Sequence, residues 1–244
     1  MIHLISMEDN VKTYLKNYQI LSGSGLKVIA TVAMLIDHIA AVLLRDSPIE
    51  LLTILGRSIT LYSLMHLIGR IAFPIFAFLI TEGYLHTRNR MRYGTNLTLF
   101  AFLSEIPWDL EHTGKCFVFS SQNVFFTLLL GYLAICMLEQ YRSQPVKQAV
   151  WLLGLLAVSV ILRADYGISG YVFILFLYVM REKPLLRAVI GSGILSSRWK
   201  AGLAFIPIAL YNGERGFAQG SFAKYFFYFF YPAHLFVLYL IKKP

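Results

Sequence analysis

The chain has 244 residues, 57% of them hydrophobic and only 14% charged, and its net charge of +9 comes from 22 Lys+Arg against 13 Asp+Glu. Soluble domains run about 45–50% apolar and about 25% charged, so these proportions, with a mean hydropathy of +0.63, exclude a cytoplasmic globular enzyme, a disordered chain and a coiled coil. What remains is an all-α polytopic membrane protein with room for about nine to ten membrane-embedded helices.

Residues 1–25 form a polar amino-terminal segment carrying Lys12 and Lys16. Their opening stretch is too weakly apolar for a signal-peptide core, so the first span is expected to act as its own insertion signal. That span, 26–44, holds Lys27, Asp37 and His38 and stops at Arg45-Asp46-Ser47-Pro48. Residues 49–68 are apolar but broken by Arg57 and His66; they cross, re-enter or lie at the interface. Residues 71–84 form a span that carries Pro74 and closes on Glu82. The most basic loop follows at 86–92, and excess Lys/Arg places it in the cytoplasm. Residues 93–108 return with Glu105 and Pro107, and 111–121 are polar and external.

Residues 124–138 then lead to a second basic loop at 139–147. Residues 150–162 reach a polar corner at Arg163-Ala164-Asp165-Tyr166-Gly167, and 168–180 reach a third basic loop at 181–187. Apolar runs at 185–195, 203–211 and 222–241 complete one membrane domain over 26–244. The basic loops share the cytoplasmic side with the amino terminus only if 49–68 does not cross, and that is the reading adopted. Because the basic residues gather between apolar runs, they suit topology and anionic lipid rather than nucleic acid. Cys116 and Cys136 make neither a metal pattern nor a disulfide framework; no metal is expected.

A charge at the bilayer centre costs from about 2.5 kcal/mol upward, so polar residues inside spans are candidates for function, with structural ion pairs as the competing reading. Lys27 and His38 are eleven residues apart. Eleven helical steps come within about 20° of whole turns, which puts both on one face roughly 16 Å apart along the axis. An ammonium suits phosphates, and a neutral imidazole inside the protein suits proton removal. A long ligand with phosphates at one end and a reactive group at the other fits that ladder, as acyl-coenzyme A would. Against this, Lys27 can simply snorkel and His38 can pair with a carboxylate. Asp37 points about 100° away from His38 and is expected to pair with a base on another helix, for example Arg70. Glu105 and Asp109 share a face at i,i+4. Gly167-Ile168-Ser169-Gly170 reads as a G-x-S-G protease nucleophile with His234 as base, or as a small-residue turn.

Seven stretches together resemble the TraX family. They are Leu26-Lys27 through Ala30 with Met34 to Asp37-His38; Gly69-Arg70 through Phe78 with Thr81-Glu82-Gly83 and Thr87-Arg88-Asn89; Phe100 through Glu105, Pro107 and Asp109-Leu110; Asn123 through Thr127; Ala164-Asp165-Tyr166-Gly167; Tyr211-Asn212-Gly213 with Arg215-Gly216; and Phe227 through Tyr231-Pro232 and His234. Trp108 departs mildly from a more usual Phe. The resemblance implies an acetyltransferase of the bacterial plasma or inner membrane, since the founding family member acetylates the amino terminus of pilin. It also implies kinship with the acyltransferase-3 superfamily, whose first span carries a basic residue and, eleven positions later, a histidine. Lys27 and His38 match that spacing.

On this reading acetyl-CoA is the donor, and the acceptor is an amine or hydroxyl of a protein or envelope glycan. His38, Asp37 and Glu105 are the expected catalytic group. Lys27, Arg70, Arg88 and Arg92, with Tyr93 and Asn123, are expected to bind the donor. Glu82, Asp109, Asp165, Tyr166, Asn212, Arg215, Tyr231 and His234 are further site candidates from their motifs. Two other classes stay open: a transporter or channel using the buried carboxylates, and an intramembrane protease using Ser169 and His234.

Overall fold

A computed structural model describes residues 2–46, 49–54 and 57–242. The Ser47-Pro48 stop expected after the first span lies outside the described residues. Helix α1 spans Ile2–Lys16. Ser22 then caps α2, Gly23–Ile39, its hydroxyl accepting from the Gly25 amide at 3.2 Å. A capped start relieves the orphan amides of the first turn. The helix continues as a π-helical turn over Ala40–Leu44, beginning two positions after His38.

Residues 49–68 do not form a span of their own. Glu50–Ile54 (β1) pairs antiparallel with Arg57–Thr60 (β2), across an irregular register between Glu50 and Leu52. Thr60 and Ser63 then cap each other reciprocally and start α3, Leu61–Gly69. With α4, Ala72–His86, this makes one apolar helical stretch, Leu61–His86. The span expected from residue 71 therefore begins ten residues earlier. Helix α5 is Arg90–Thr113, started by Asn89 and ended by Gly114 at φ +72°, a left-handed conformation that favours glycine. It carries Glu111 and His112, which the sequence reading had assigned to an external loop.

Asn123 caps α6, Val124–Gln140, with its side chain accepting from the Phe125 amide at 3.0 Å. Prolines sit in the first turns of α7, Pro145–Ile161, and α9, Pro184–Ile194, where the missing amide costs nothing. Between them lies α8, Gly167–Val179. A 3-10 segment, Ser196–Ala204, leads into the short α10, Phe205–Ala209, before α11, Gly220–Lys242. Among the described residues three helices are long and apolar enough to cross a membrane, Gly23–Leu44, Leu61–His86 and Gly220–Lys242, beside several shorter apolar helices. The protein is an all-α membrane protein.

The helices run between two ends. The proximal end holds the start of α2, where the 212–219 loop packs, and the 86–90 turn, where the Arg90 guanidinium lies over Tyr84 and the Arg90 carbonyl accepts from the Tyr132 hydroxyl at 2.8 Å. The distal end places Arg45 and Lys242 within electrostatic reach of Glu111, and joins Gln122 to Ala164 by a backbone bridge. Between the ends, Phe78, Tyr84, Phe100, Tyr132 and Phe173 are almost fully buried. Such rings fill the space where α4, α5, α6, α8 and α11 meet.

Candidate functional site

His38, toward the end of α2, meets His234 of α11: His38 Nδ1 lies 2.6 Å from His234 Nε2. The rings are stacked with centroids 4.9 Å apart. His234 Nδ1 lies 2.8 Å from the Phe230 carbonyl. That carbonyl only accepts, so Nδ1 of His234 carries the hydrogen. In the neutral ring Nε2 is then the lone pair, and His38 Nδ1–H donates to it. The lone pair of His38 is thereby fixed on Nε2. Phe230 and Tyr231 hold His234 between them, with ring centroids 5.1 and 5.6 Å away.

Three polar groups surround this pair. In the first, Asp37 Oδ1 is 2.5 Å from His66 Nδ1, and His66 Nε2 meets the Arg70 guanidinium. The expected pairing of Asp37 with Arg70 is thus relayed through His66. Gly69 makes it possible: a side-chain carbon there would overlap the Asp37 side chain. In the second, Glu105 Oε2 accepts from the Asn123 side-chain amide at 2.5 Å, and that amide also donates to the Ala101 carbonyl at 2.8 Å. Glu105 Oε1 and the Tyr231 hydroxyl are buried without a well-formed hydrogen bond, within electrostatic reach of each other. Asp165 and Tyr166 lie in that same neighbourhood, with the Tyr166 ring stacked on Phe73 at 3.6 Å.

In the third, beyond the apolar part of α5, Glu111 Oε2 is 2.6 Å from His112 Nδ1. His112 lies within electrostatic reach of His38, and Glu111 of His234. Burial opposes both charges, but their contact outweighs it, holding the Glu111 carboxyl below its ordinary range and the His112 imidazole above its own. Asp109, buried one turn from Glu105, accepts from the Val118 amide at 2.7 Å. It therefore anchors the 114–123 loop, while staying within electrostatic reach of Glu105.

At the proximal end Lys27 lies over the Phe227 ring at 5.9 Å, beside Arg215 and Lys224. Hydrogen bonds dock the loop that carries Arg215 on the start of α2. The Gly23 amide donates to Glu214 O at 2.7 Å, and the Ser24 hydroxyl donates to Arg215 O and accepts from the Ala218 amide, both at 2.8 Å. Asn212 shapes the same loop by accepting from the Glu214 amide at 2.9 Å. Lys27 has no ion pair among the described residues.

Several expected donor-binding residues lie elsewhere. Arg70 sits with Asp37, and Asn123 with Glu105. Arg88 and Arg92 are exposed at the turn before and the start of α5, and Tyr93 packs edge-on against Tyr132 at 4.9 Å. Glu82 is at the proximal end beside Tyr211 and Arg187. Ser169 is exposed and donates to the Tyr166 carbonyl at 2.9 Å. Both ring nitrogens of His234 are engaged with His38 and Phe230, so it is not poised as a base for Ser169. The sequence reading missed His66, Glu111, His112 and Lys224. The i,i+4 spacing of His66 to Arg70 and the adjacent Glu111-His112 pair were the available signals.

The profile of a family described as TraX protein matches residues 22–242. A protein of Dichelobacter nodosus, named "Probable fimbrial assembly protein FimC, serogroup H1", is 29% identical over 245 residues, covering 89% of this chain and 94% of that protein. No solved structure matches significantly.

Proposed function

The chain belongs to the TraX family, and from that premise we propose that it is a membrane acyltransferase serving pilus or fimbrial assembly, moving an acetyl group from acetyl-CoA to an amine or hydroxyl. The observation that carries this reading is the division of labour along α2, with Lys27 beside Arg215 and Lys224 at one end and His38 in an oriented histidine pair eleven residues on. The name of the D. nodosus relative supports a protein subunit as acceptor, with an envelope glycan as the other acceptor class. The basic 139–147 and 181–187 loops mark the proximal end as cytoplasmic, which gives the amino terminus the same side and makes the chain multi-pass.

Lys27, Arg215 and Lys224 bind the donor's phosphates by charge-assisted hydrogen bonds. The acceptor's N–H or O–H gives its proton to His38 Nε2 as the acceptor attacks the thioester carbonyl. The carbon–sulfur bond then breaks, and the coenzyme thiolate leaves and takes the proton back from His38. His234, fixed by the Phe230 carbonyl, keeps the His38 lone pair on the reacting nitrogen. Glu105 Oε1 and the Tyr231 hydroxyl, buried without a well-formed hydrogen bond, offer an acceptor and a donor to the incoming nucleophile. The test is binding of acetyl-CoA to purified protein in detergent, by calorimetry and thermal shift, since a ligand of the folded state raises its stability. Saturable binding that weakens in Lys27→Ala supports the reading. Absence of binding to folded protein ends it, and ion-coupled flux in proteoliposomes would then make it a transporter.

A further inference from the structure

A second site lies at the proximal end, apart from the histidine pair. A cavity of about 380 Å³ opens there, and its walls include Lys16, Arg181, Arg187, Glu82, Asn212 and Phe78. That volume falls within the range of small-molecule sites, about 300–1,000 Å³. Three cations and Glu82 line it, with Glu182 and Glu8 also within electrostatic reach of Arg187. Glu82 is already engaged by the Tyr211 hydroxyl and by His86, 3.6 Å away, and Glu8 by two backbone amides. The Arg187 guanidinium is held over the Phe78 ring at 5.1 Å. Its Nε is buried without a hydrogen-bond partner. A buried donor left unmade is costly, and a guanidinium fork matches the oxygens of a phosphate.

Helix α1 completes the site. The Glu8 carboxylate accepts from the Leu185 and Leu186 amides at 3.1 and 2.8 Å, which ties α1 to the first turn of α9, and Lys16 at the end of α1 lines the same cavity as Arg187. We propose that this cavity binds a phosphate ester of up to nucleotide size, with the phosphate between Arg187, Arg181 and Lys16 and the hydroxyl-bearing part toward Glu82 and Asn212. The same chemistry belongs to a soluble phosphate ester and to an anionic lipid headgroup. The proposal does not rest on acyl transfer: either can hold while the other fails.

The experiment measures AMP and inorganic phosphate binding to the full chain in uncharged detergent, by calorimetry and thermal shift. In parallel, the protein is placed in nanodiscs of phosphatidylglycerol or of phosphatidylcholine. The expected result is AMP binding that weakens about tenfold in Arg187→Gln, the loss of one charge-assisted contact, and falls with salt. Lys16→Gln, an exposed change that does not threaten folding, weakens it by a smaller factor. If AMP gives no shift, but phosphatidylglycerol stabilises the wild type and not Arg187→Gln or Lys16→Gln, the ligand is a lipid headgroup. Neither effect in folded wild type, or equal effects in wild type and both variants, overturns the proposal.

Discussion

The two ends of α2 treat charge in opposite ways. At the distal end the histidines near His38 each meet another ionisable group: His234 meets His38, His66 meets Asp37 and Arg70, and His112 meets Glu111. At the proximal end hydrogen bonds dock the loop that carries Arg215 on the start of α2, and Lys27 lies beside Arg215 and Lys224 with no ion pair to Lys27 among the described residues. The first arrangement orients groups and fixes where protons sit. The second holds like charges close, which becomes favourable when an anion joins them. On the proposed function, one helix therefore joins a place suited to proton movement to a place suited to anion recognition.

The largest expected effect breaks the distal end. His38→Ala should lower acetyl transfer about 10²–10⁴-fold, the range for a lost general base, while thermal melting of the purified protein stays near wild type. A variant with normal turnover would remove His38 from the chemistry. Next, His234→Ala should cost about tenfold or more in kcat with little change in KM, because His38 loses the partner that fixes its tautomer. Its pH–rate profile should also shift, a readout that a purely structural role would leave in place.

The proximal end should respond in the other parameter. Lys27→Ala should raise the KM for acetyl-CoA about tenfold, as expected for one charge-assisted contact, and leave kcat close to normal. A fall in kcat at unchanged KM would dissolve the contrast between the ends. The smallest effect concerns Glu111 and His112. With the His112 pKa raised and the Glu111 pKa lowered, the contribution of His112 to stability is complete below its unfolded value of about 6.5 and is lost as pH rises through the higher folded value. The contribution of Glu111 is present above the ordinary carboxylate pKa and is lost as pH falls through its lower folded value. NMR titration of His112 should therefore show a midpoint above 6.5, which Glu111→Gln should bring back down. An unchanged midpoint in that variant would mean that the pair is not coupled.

Much of this was legible in residue order. The apolar runs mark the helices, whereas the starts capped by Ser22, Thr60 and Asn89 lie three to ten residues before the expected ones. The eleven-residue spacing placed Lys27 and His38 on one face because α2 is regular up to its π-turn. The register of 49–68 was not legible, since a short apolar run broken by Arg57 and His66 suits a hairpin and a helix equally.

What the sequence by itself determined is a membrane protein of apolar helices, its family, and the two ends of the α2 ladder. Only the tertiary structure decided what meets those ends. His38 and His234 are 196 residues apart, and Asp37 reaches Arg70 through His66 because Gly69 lets α3 press against α2. Periodicity tells which face of a helix is special, whereas the partner depends on which two faces pack, and that is settled by the shape of the whole bundle.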